Sequence, residues 1–213
     1  MSRRVVFAGP SLPPPYPVGP DIEYRPPAQR GDLLRAVADG ARVIGLIDGV
    51  FHQQLAVTPR EVRAAAREGV WLFGGASLGA LRACECPDSM SGIGKIWTDF
   101  SRGELTDDDE VAVTFDPKTF LLASYPFVQI RDAVLRGVAQ HPNCASELSL
   151  FAQAVRRLPF QQRSLAAIRD VARVAVDAGV AWQDLHRWLT AEEFDVKRAD
   201  AKEVVRAVVS ARG

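Results

Sequence analysis

The sequence predicts an α/β fold, a parallel sheet with flanking helices in the N-terminal part, followed by an all-helical C-terminal part. Three observations lead there. Short apolar runs closed by glycine or proline alternate with segments of helical spacing through the first half of the chain. Polar, loop-forming residues follow those runs, as they do at the carboxyl ends of parallel strands. After Pro126 only helical periodicity remains.

The elements follow in order. The segment RVVFA, from Arg4 to Ala8, reads as a short buried strand ended by Gly9-Pro10-Ser11. Eight of the fourteen prolines lie between Pro10 and Pro27, which argues against helix or central strand there and predicts a rigid, extended excursion. Gly31-Asp32 then opens a helix with Leu33, Leu34, Val37 and Ala38 on one face and Gly40 as its stop. VIGLID, from Val43 to Asp48, is expected as the second strand. In Thr58-Pro59-Arg60-Glu61 the threonine is a cap, proline suits the first helical position, and Glu61 completes a capping box. Gly69 ends that helix. VWLFG, from Val70, is the third expected strand and runs into GASLG, after which Leu78 to Glu85 reads as a helix. This alternation argues for right-handed crossovers. The stretch from Met90 is glycine-punctuated, and Val111 to Phe115 reads as a further strand. Segments near 127–140, 145–157, 162–178, 181–189 and 198–211 read as helices. The expected division is an α/β core over 1–125 and a helical subdomain over 126–213.

Composition bounds the function. The 26 basic and 26 acidic residues cancel, so no global field favours nucleic acid or anionic lipid. The apolar run after Arg4 is too short for a signal peptide, and no segment approaches the length of a membrane span. Cys84, Cys86 and Cys144 fit neither a zinc site nor a C-x-x-C motif. The expectation is a cytoplasmic protein with reduced, structural thiols.

The chemistry centres on Gly75-Ala76-Ser77-Leu78-Gly79, a G-x-S-x-G between strand and helix. Small neighbours permit a strained turn that exposes a serine nucleophile, and the helix N-terminus offers N–H groups to a developing anion. Ser77 equally suits a plain helix cap. A serine needs a base; of His52, His141 and His186, His52 is best placed, four residues beyond Asp48 on a strand-end loop. Asp48 either holds its turn or orients a base, and Ser11 stands at the end of the first strand. Arg82 either forks onto a carboxylate, thiocarboxylate or peptide C-terminus, or pairs Glu85. The run Asp107 to Glu110 reads as a solvated acidic loop that alone does not establish a Mg²⁺ site. No Walker lysine loop or dinucleotide fingerprint is present. No cofactor and no metal are expected. The candidate set is catalytic Ser77, Asp48 and His52, with Ser11, Gly75, Gly79, Arg82, Asp109 and Glu110 for substrate binding.

Six blocks in order resemble one family, the TfuA-like proteins. They are VVFAGPSL, YRPPAQRGDLL, IGLIDGVFHQQLAVTPREV, GGASLGALRACE, GIGKIWTDFSRGELTDDDEVA and PFVQIR, across roughly the first 130 residues. The resemblance implies a partner of a YcaO-type ATP-dependent enzyme in converting a peptide backbone amide to a thioamide. It also implies engagement of a ubiquitin-like sulfur-carrier protein, sulfide release from its C-terminal thiocarboxylate, and proximity to a precursor peptide. Ser77, the helix start and Arg82 would then serve as nucleophile, oxyanion stabiliser and anion clamp. One departure stands out: many relatives read AVWHKEI where this chain has Ala56-Val57-Thr58-Pro59-Arg60-Glu61-Val62. A His-Lys pair is thus replaced by Pro59-Arg60, and arginine does not act as a base at neutral pH. Two other functions compete, a non-catalytic module that activates or recruits a YcaO enzyme and a free-standing serine hydrolase.

Overall fold

A computed structural model describes residues 3–17, 21–51, 55–175 and 180–211. The chain forms two compact units, 1–108 with 197–213, and 109–196. The first unit holds β1 (Arg3–Phe7), β2 (Ile22–Arg25), α1 (Asp32–Ala38), β3 (Ala41–Leu46), α2 (Pro59–Arg67), β4 (Trp71–Gly75), α3 (Leu78–Glu85), β5 (Ser91–Ile93) and α4 (Gly94–Ser101). The second holds α5 (Phe127–Gln140), α6 (Ala145–Arg156), α7 (Leu165–Ala175) and α8 (Trp182–Thr190). The last helix, α9 (Val196–Ser210), returns to the first unit.

All five strands are parallel, in the order β2-β1-β3-β4-β5. Both faces of the sheet are buried, so β1 and β3 read as continuous apolar runs instead of alternating ones. Val5, Phe7, Ile44, Leu46 and Leu72 pack with Leu33, Val62, Ala65, Leu78 and Ala83 of α1, α2 and α3. Val6, Val43 and Ile47 pack on the opposite face with Ala201, Val204, Val205 and Val208 of α9. Gly45 makes that second contact possible: a Cβ there would lie 2.9 Å from Val208 and 3.2 Å from Val204. This valine ridge puts 197–213 with the sheet, whereas the sequence division assigns those residues to the helical part.

Two short strands join those expected, and two local expectations are corrected. β2 is a strand inside the proline-dense stretch. It is only four residues long and lies at the sheet edge, where flanking prolines remove no ladder hydrogen bond. Ion pairs of Glu23 with Arg3 and Arg25, and of Arg25 with Asp39, surround that edge. The connection from β1 to β2 runs against the direction of the other crossovers. Its Leu12 and Tyr16 join the α9 side of the sheet, as a right-handed crossover requires. β5 and α4 occupy the glycine-punctuated stretch, with Gly94 at φ 92° beneath the Asp200 carboxylate. Residues 111–115 are not a strand; a 3-10 turn at Asp108–Glu110 precedes them, and Phe115 makes an isolated bridge to Leu122. The capping box is half formed. The Thr58 hydroxyl accepts the Glu61 N–H at 3.2 Å, but the Glu61 carboxylate accepts the Leu33 N–H of α1 at 3.0 Å.

The second unit is built as its periodicity predicts. Phe127, Ile130, Leu148, Phe151, Ile168, Leu185 and Trp188 form its core. Among the described residues no helix is long and apolar enough to cross a membrane.

Candidate functional site

In the sheet register Phe7 stands beside Leu46, and Leu46 beside Gly74. The loops that leave β1, β3 and β4 therefore emerge side by side. Chain progression reverses between β1 and β3, the position at which open α/β sheets form a ligand crevice.

Asp48 fills that crevice from within. It is 2% exposed. One carboxylate oxygen accepts the N–H groups of Gly9 at 2.9 Å and Ser11 at 3.0 Å, and the other accepts the Ser11 hydroxyl at 2.6 Å. The amides that a doubly wound sheet would offer to an anion are thus satisfied by the chain's own carboxylate. Tyr16 stacks on Tyr24 with ring centroids 4.3 Å apart. Burial, and secondarily the Asp48 charge, raises the Tyr16 phenol above its usual range.

Ser77 sits on a tight turn. Ala76, a residue with a side chain, adopts φ 63°, and the Ser77 N–H donates to the Gly75 carbonyl at 2.7 Å. Ser77 occupies the cap position of α3, yet its side chain makes no capping hydrogen bond. The residue is 2% exposed. In the first turn, the Gly79 N–H donates to the Ile47 carbonyl at 3.3 Å and the Ala80 N–H to the Ser77 carbonyl at 3.0 Å. The Leu78 N–H has no acceptor among the described residues. In a nucleophile elbow this residue, the one after the serine, supplies an oxyanion donor.

The glycines of the motif serve close packing. A Cβ on Gly79 would stand 1.8 Å from the Leu46 carbonyl oxygen, and one on Gly75 would stand 2.6 Å from that of Ile93. Both residues let α3 and β5 approach the sheet backbone, which fixes the turn carrying Ser77.

Arg82 lines a pocket of about 310 Å³ with Phe51, Pro59, Leu78, Leu81, Glu85 and Asp108, among others. Its Nε donates to the Val57 carbonyl at 2.6 Å and its Nη1 to Glu85 at 2.6 Å. The guanidinium thus ties α3 to the segment entering α2, so the pairing with Glu85 is the contact it makes.

Asp109 and Glu110 lie in the second unit, and they are not a solvated loop. Glu110 is fully buried, accepts both arms of Arg131 at 3.0 and 2.8 Å, and also pairs with Arg156. Asp109 pairs with Arg163 at 2.7 Å. Arg163, itself fully buried, also donates to the carbonyls of Leu158 and Asp109, each at 3.0 Å. All three guanidinium groups lie over the Phe127 ring, 4.8 to 5.3 Å from its centroid. The second Asp109 oxygen has no hydrogen bond, with Arg156 3.9 Å away, and the remaining contacts order the unit. The arginines carry no recognisable sequence motif: Arg131 lies on α5, Arg156 at the end of α6 and Arg163 after the 3-10 turn Phe160–Gln162.

His52 lies outside the described residues. His186 contacts Thr190 and the Trp182 ring on the surface of α8. All three cysteines are free; burial raises the Cys86 thiol, which contacts the Pro59 carbonyl at 3.7 Å. Among the described residues, no group of three or more His, Cys, Asp or Glu is arranged to hold a metal ion.

A family model described as TfuA-like protein matches residues 48–164 of the 213. The chain belongs to the TfuA-like family. No curated protein matches it. The TfuA-like segment starts at Asp48 and contains Ser77, Arg82 and the whole Asp109–Glu110 arginine cluster. Ser11, which holds Asp48, and α9, which covers the sheet, lie outside it.

Proposed function

We propose that this TfuA-like chain is an accessory protein for YcaO-dependent peptide thioamidation, and that it releases sulfide from the C-terminal thiocarboxylate of a sulfur-carrier protein at the Ser77 turn. The observation that carries the reading is the pair of donors there that find no protein acceptor among the described residues, the Ser77 hydroxyl and the Leu78 N–H, at the N-terminus of α3. The Ser77 oxygen attacks the thiocarboxylate carbon, and the Leu78 N–H and the helix N-terminus stabilise the tetrahedral oxyanion. The carbon–sulfur bond then breaks and hydrogen sulfide leaves. Water hydrolyses the acyl-serine to a carboxylate, and the net reaction is thiocarboxylic acid plus water to carboxylic acid plus hydrogen sulfide. His52 is the candidate base, and the YcaO enzyme consumes the sulfide.

A second reading has its own support. Asp48 is engaged by Gly9 and Ser11, and Arg82 by Val57 and Glu85. Neither is a free catalytic group, which favours a non-catalytic module that recruits the carrier or activates the YcaO enzyme.

One experiment separates them. Purified protein is incubated with a thiocarboxylated carrier and sulfide is followed. The hydrolytic reading expects release that Ser77→Ala lowers by about 100-fold or more. Release unaffected by that substitution overturns the first reading, and release no faster than without the protein, with YcaO stimulation retained, supports the second.

A further inference from the structure

We propose that the Tyr16 hydroxyl binds a backbone carbonyl in the C-terminal tail of the sulfur carrier, holding that tail along the crevice with its acyl end at the Ser77 turn. The proposal rests on the reading of a sulfur carrier as partner, and not on hydrolysis.

Tyr16 lies where the strands end. It is half-buried, and its ring packs against a cluster that includes Ala8, Ile47 and Ala76, the residues that follow β1, β3 and β4. The Tyr24 ring stacks on it, parallel within 6°, which fixes its plane. The Asp48 charge reaches the Tyr16 phenol. Asp48 in turn follows Ile47, whose carbonyl accepts the Gly79 N–H from the first turn of α3. The crevice thus leads from Tyr16 past Asp48 to Ser77.

Along that path the acceptors are taken and donors are left over. The carbonyls of Phe7, Gly9, Ile47, Asp48, Gly75 and Ser77 all accept backbone N–H groups, and the Asp48 carboxylate accepts three donors. Tyr24 spends its hydroxyl on the Pro17 carbonyl at 3.1 Å. The Tyr16 hydroxyl, the Ser77 hydroxyl and the Leu78 N–H find no protein acceptor among the described residues. Burial, and secondarily the Asp48 charge, raise the phenol above its usual range, so it stays protonated and serves as a donor. Donors spaced along a crevice suit a ligand that carries acceptors along its length. An extended peptide tail does so: its acyl carbonyl meets the Leu78 N–H, and an earlier backbone carbonyl meets Tyr16. A small free acid would reach one end and leave the other donor unused.

The test measures, by titration calorimetry on the full-length protein, the binding of a ubiquitin-like carrier in its carboxylate form, which has no sulfide to release. The same carrier lacking its C-terminal tail is the comparison. The intact carrier should bind about tenfold tighter or better. Tyr16→Phe keeps the ring and its stacking and deletes only the hydroxyl. It should weaken the intact carrier by about three- to tenfold and leave the truncated one unchanged. Tyr24→Phe, at a hydroxyl already spent on Pro17, should leave the tail dependence as it is. Equal loss for both carriers on Tyr16→Phe would mark a structural role and overturn the proposal. No loss for either, the same loss on Tyr24→Phe, equal affinity for the two carriers or absence of binding would overturn it too. The hydrolytic reading fails separately, through sulfide release that Ser77→Ala does not lower.

Discussion

The Ser11 hydroxyl donates to the Asp48 carboxylate at 2.6 Å, and both residues are 2% exposed. That contact joins the loop after β1 to the loop after β3. With the Gly9 and Ser11 amides on the other carboxylate oxygen, it makes Asp48 the fixed point of the crevice. Asp48→Ala strips three donors of their acceptor and should cost about 3 kcal/mol of stability, whereas Ser11→Ala should cost about 1 kcal/mol. Urea midpoints of the two variants check the ranking.

Ser77 is expected to behave in the opposite way. A serine that caps a helix loses about 1 kcal/mol on replacement by alanine. The Ser77 hydroxyl makes no capping bond, so Ser77→Ala should change stability by less than about 0.5 kcal/mol. A thermal melt reads this directly, and a cost near the capping value would mean that the hydroxyl serves the helix.

Gly79 and Gly40 provide a contrast between packing and backbone conformation. Gly79→Ala places a methyl 1.8 Å from the Leu46 carbonyl, which nothing short of moving α3 relieves. Its expected cost exceeds about 3 kcal/mol. Gly40 has φ 90° with open space around it, and Gly40→Ala should cost about 1 kcal/mol from strain alone. Far-ultraviolet circular dichroism against temperature distinguishes the two.

Asp200 couples the docking of α9 to pH. Its carboxylate accepts the Lys95 N–H at 2.9 Å and the Ile96 N–H at 2.8 Å, capping α4. Burial nevertheless dominates those two bonds and raises its pKa from 3.8 to about 6, with Glu203 and Asp99 adding to the rise. The folded state therefore holds this proton more tightly than the unfolded chain does. The stability it contributes is fully present below the unfolded pKa and is lost as pH rises through about 6. Relative to Asp200→Asn, the wild type should lose stability between about pH 4.5 and about pH 6.5. Parallel urea titrations at those pH values would show no such difference if the carboxylate were ordinary.

The arginine cluster yields a prediction for the helical unit. Glu110→Gln leaves Arg131 and Arg156, 43% and 32% exposed, facing a neutral amide at a buried position. A loss of about 1 to 2 kcal/mol is expected, since charge-assisted hydrogen bonds are weakened while the arginines keep contact with water. A shift of the unfolding midpoint by calorimetry measures it.

The sequence by itself determined the alternation of β1, β3 and β4 with α1, α2 and α3, because apolar period and glycine stops are local properties. It also determined that Ser77 lies where a strand meets a helix. It did not reveal β2 or β5, since four or three residues beside proline and glycine carry too little pattern for pairing to be read without the neighbouring strand. Nor did it reveal the partners of charged groups. The Glu61 carboxylate went to α1 instead of its own cap, Asp109 and Glu110 went to arginines tens of residues away, and Arg82 went to Val57. Those choices depend on which elements the fold brings together. The same reason separates Asp48 from Ser77 in kind: tertiary contacts satisfy the carboxylate, while the serine hydroxyl and the Leu78 amide find no protein acceptor among the described residues, side by side at the end of the sheet.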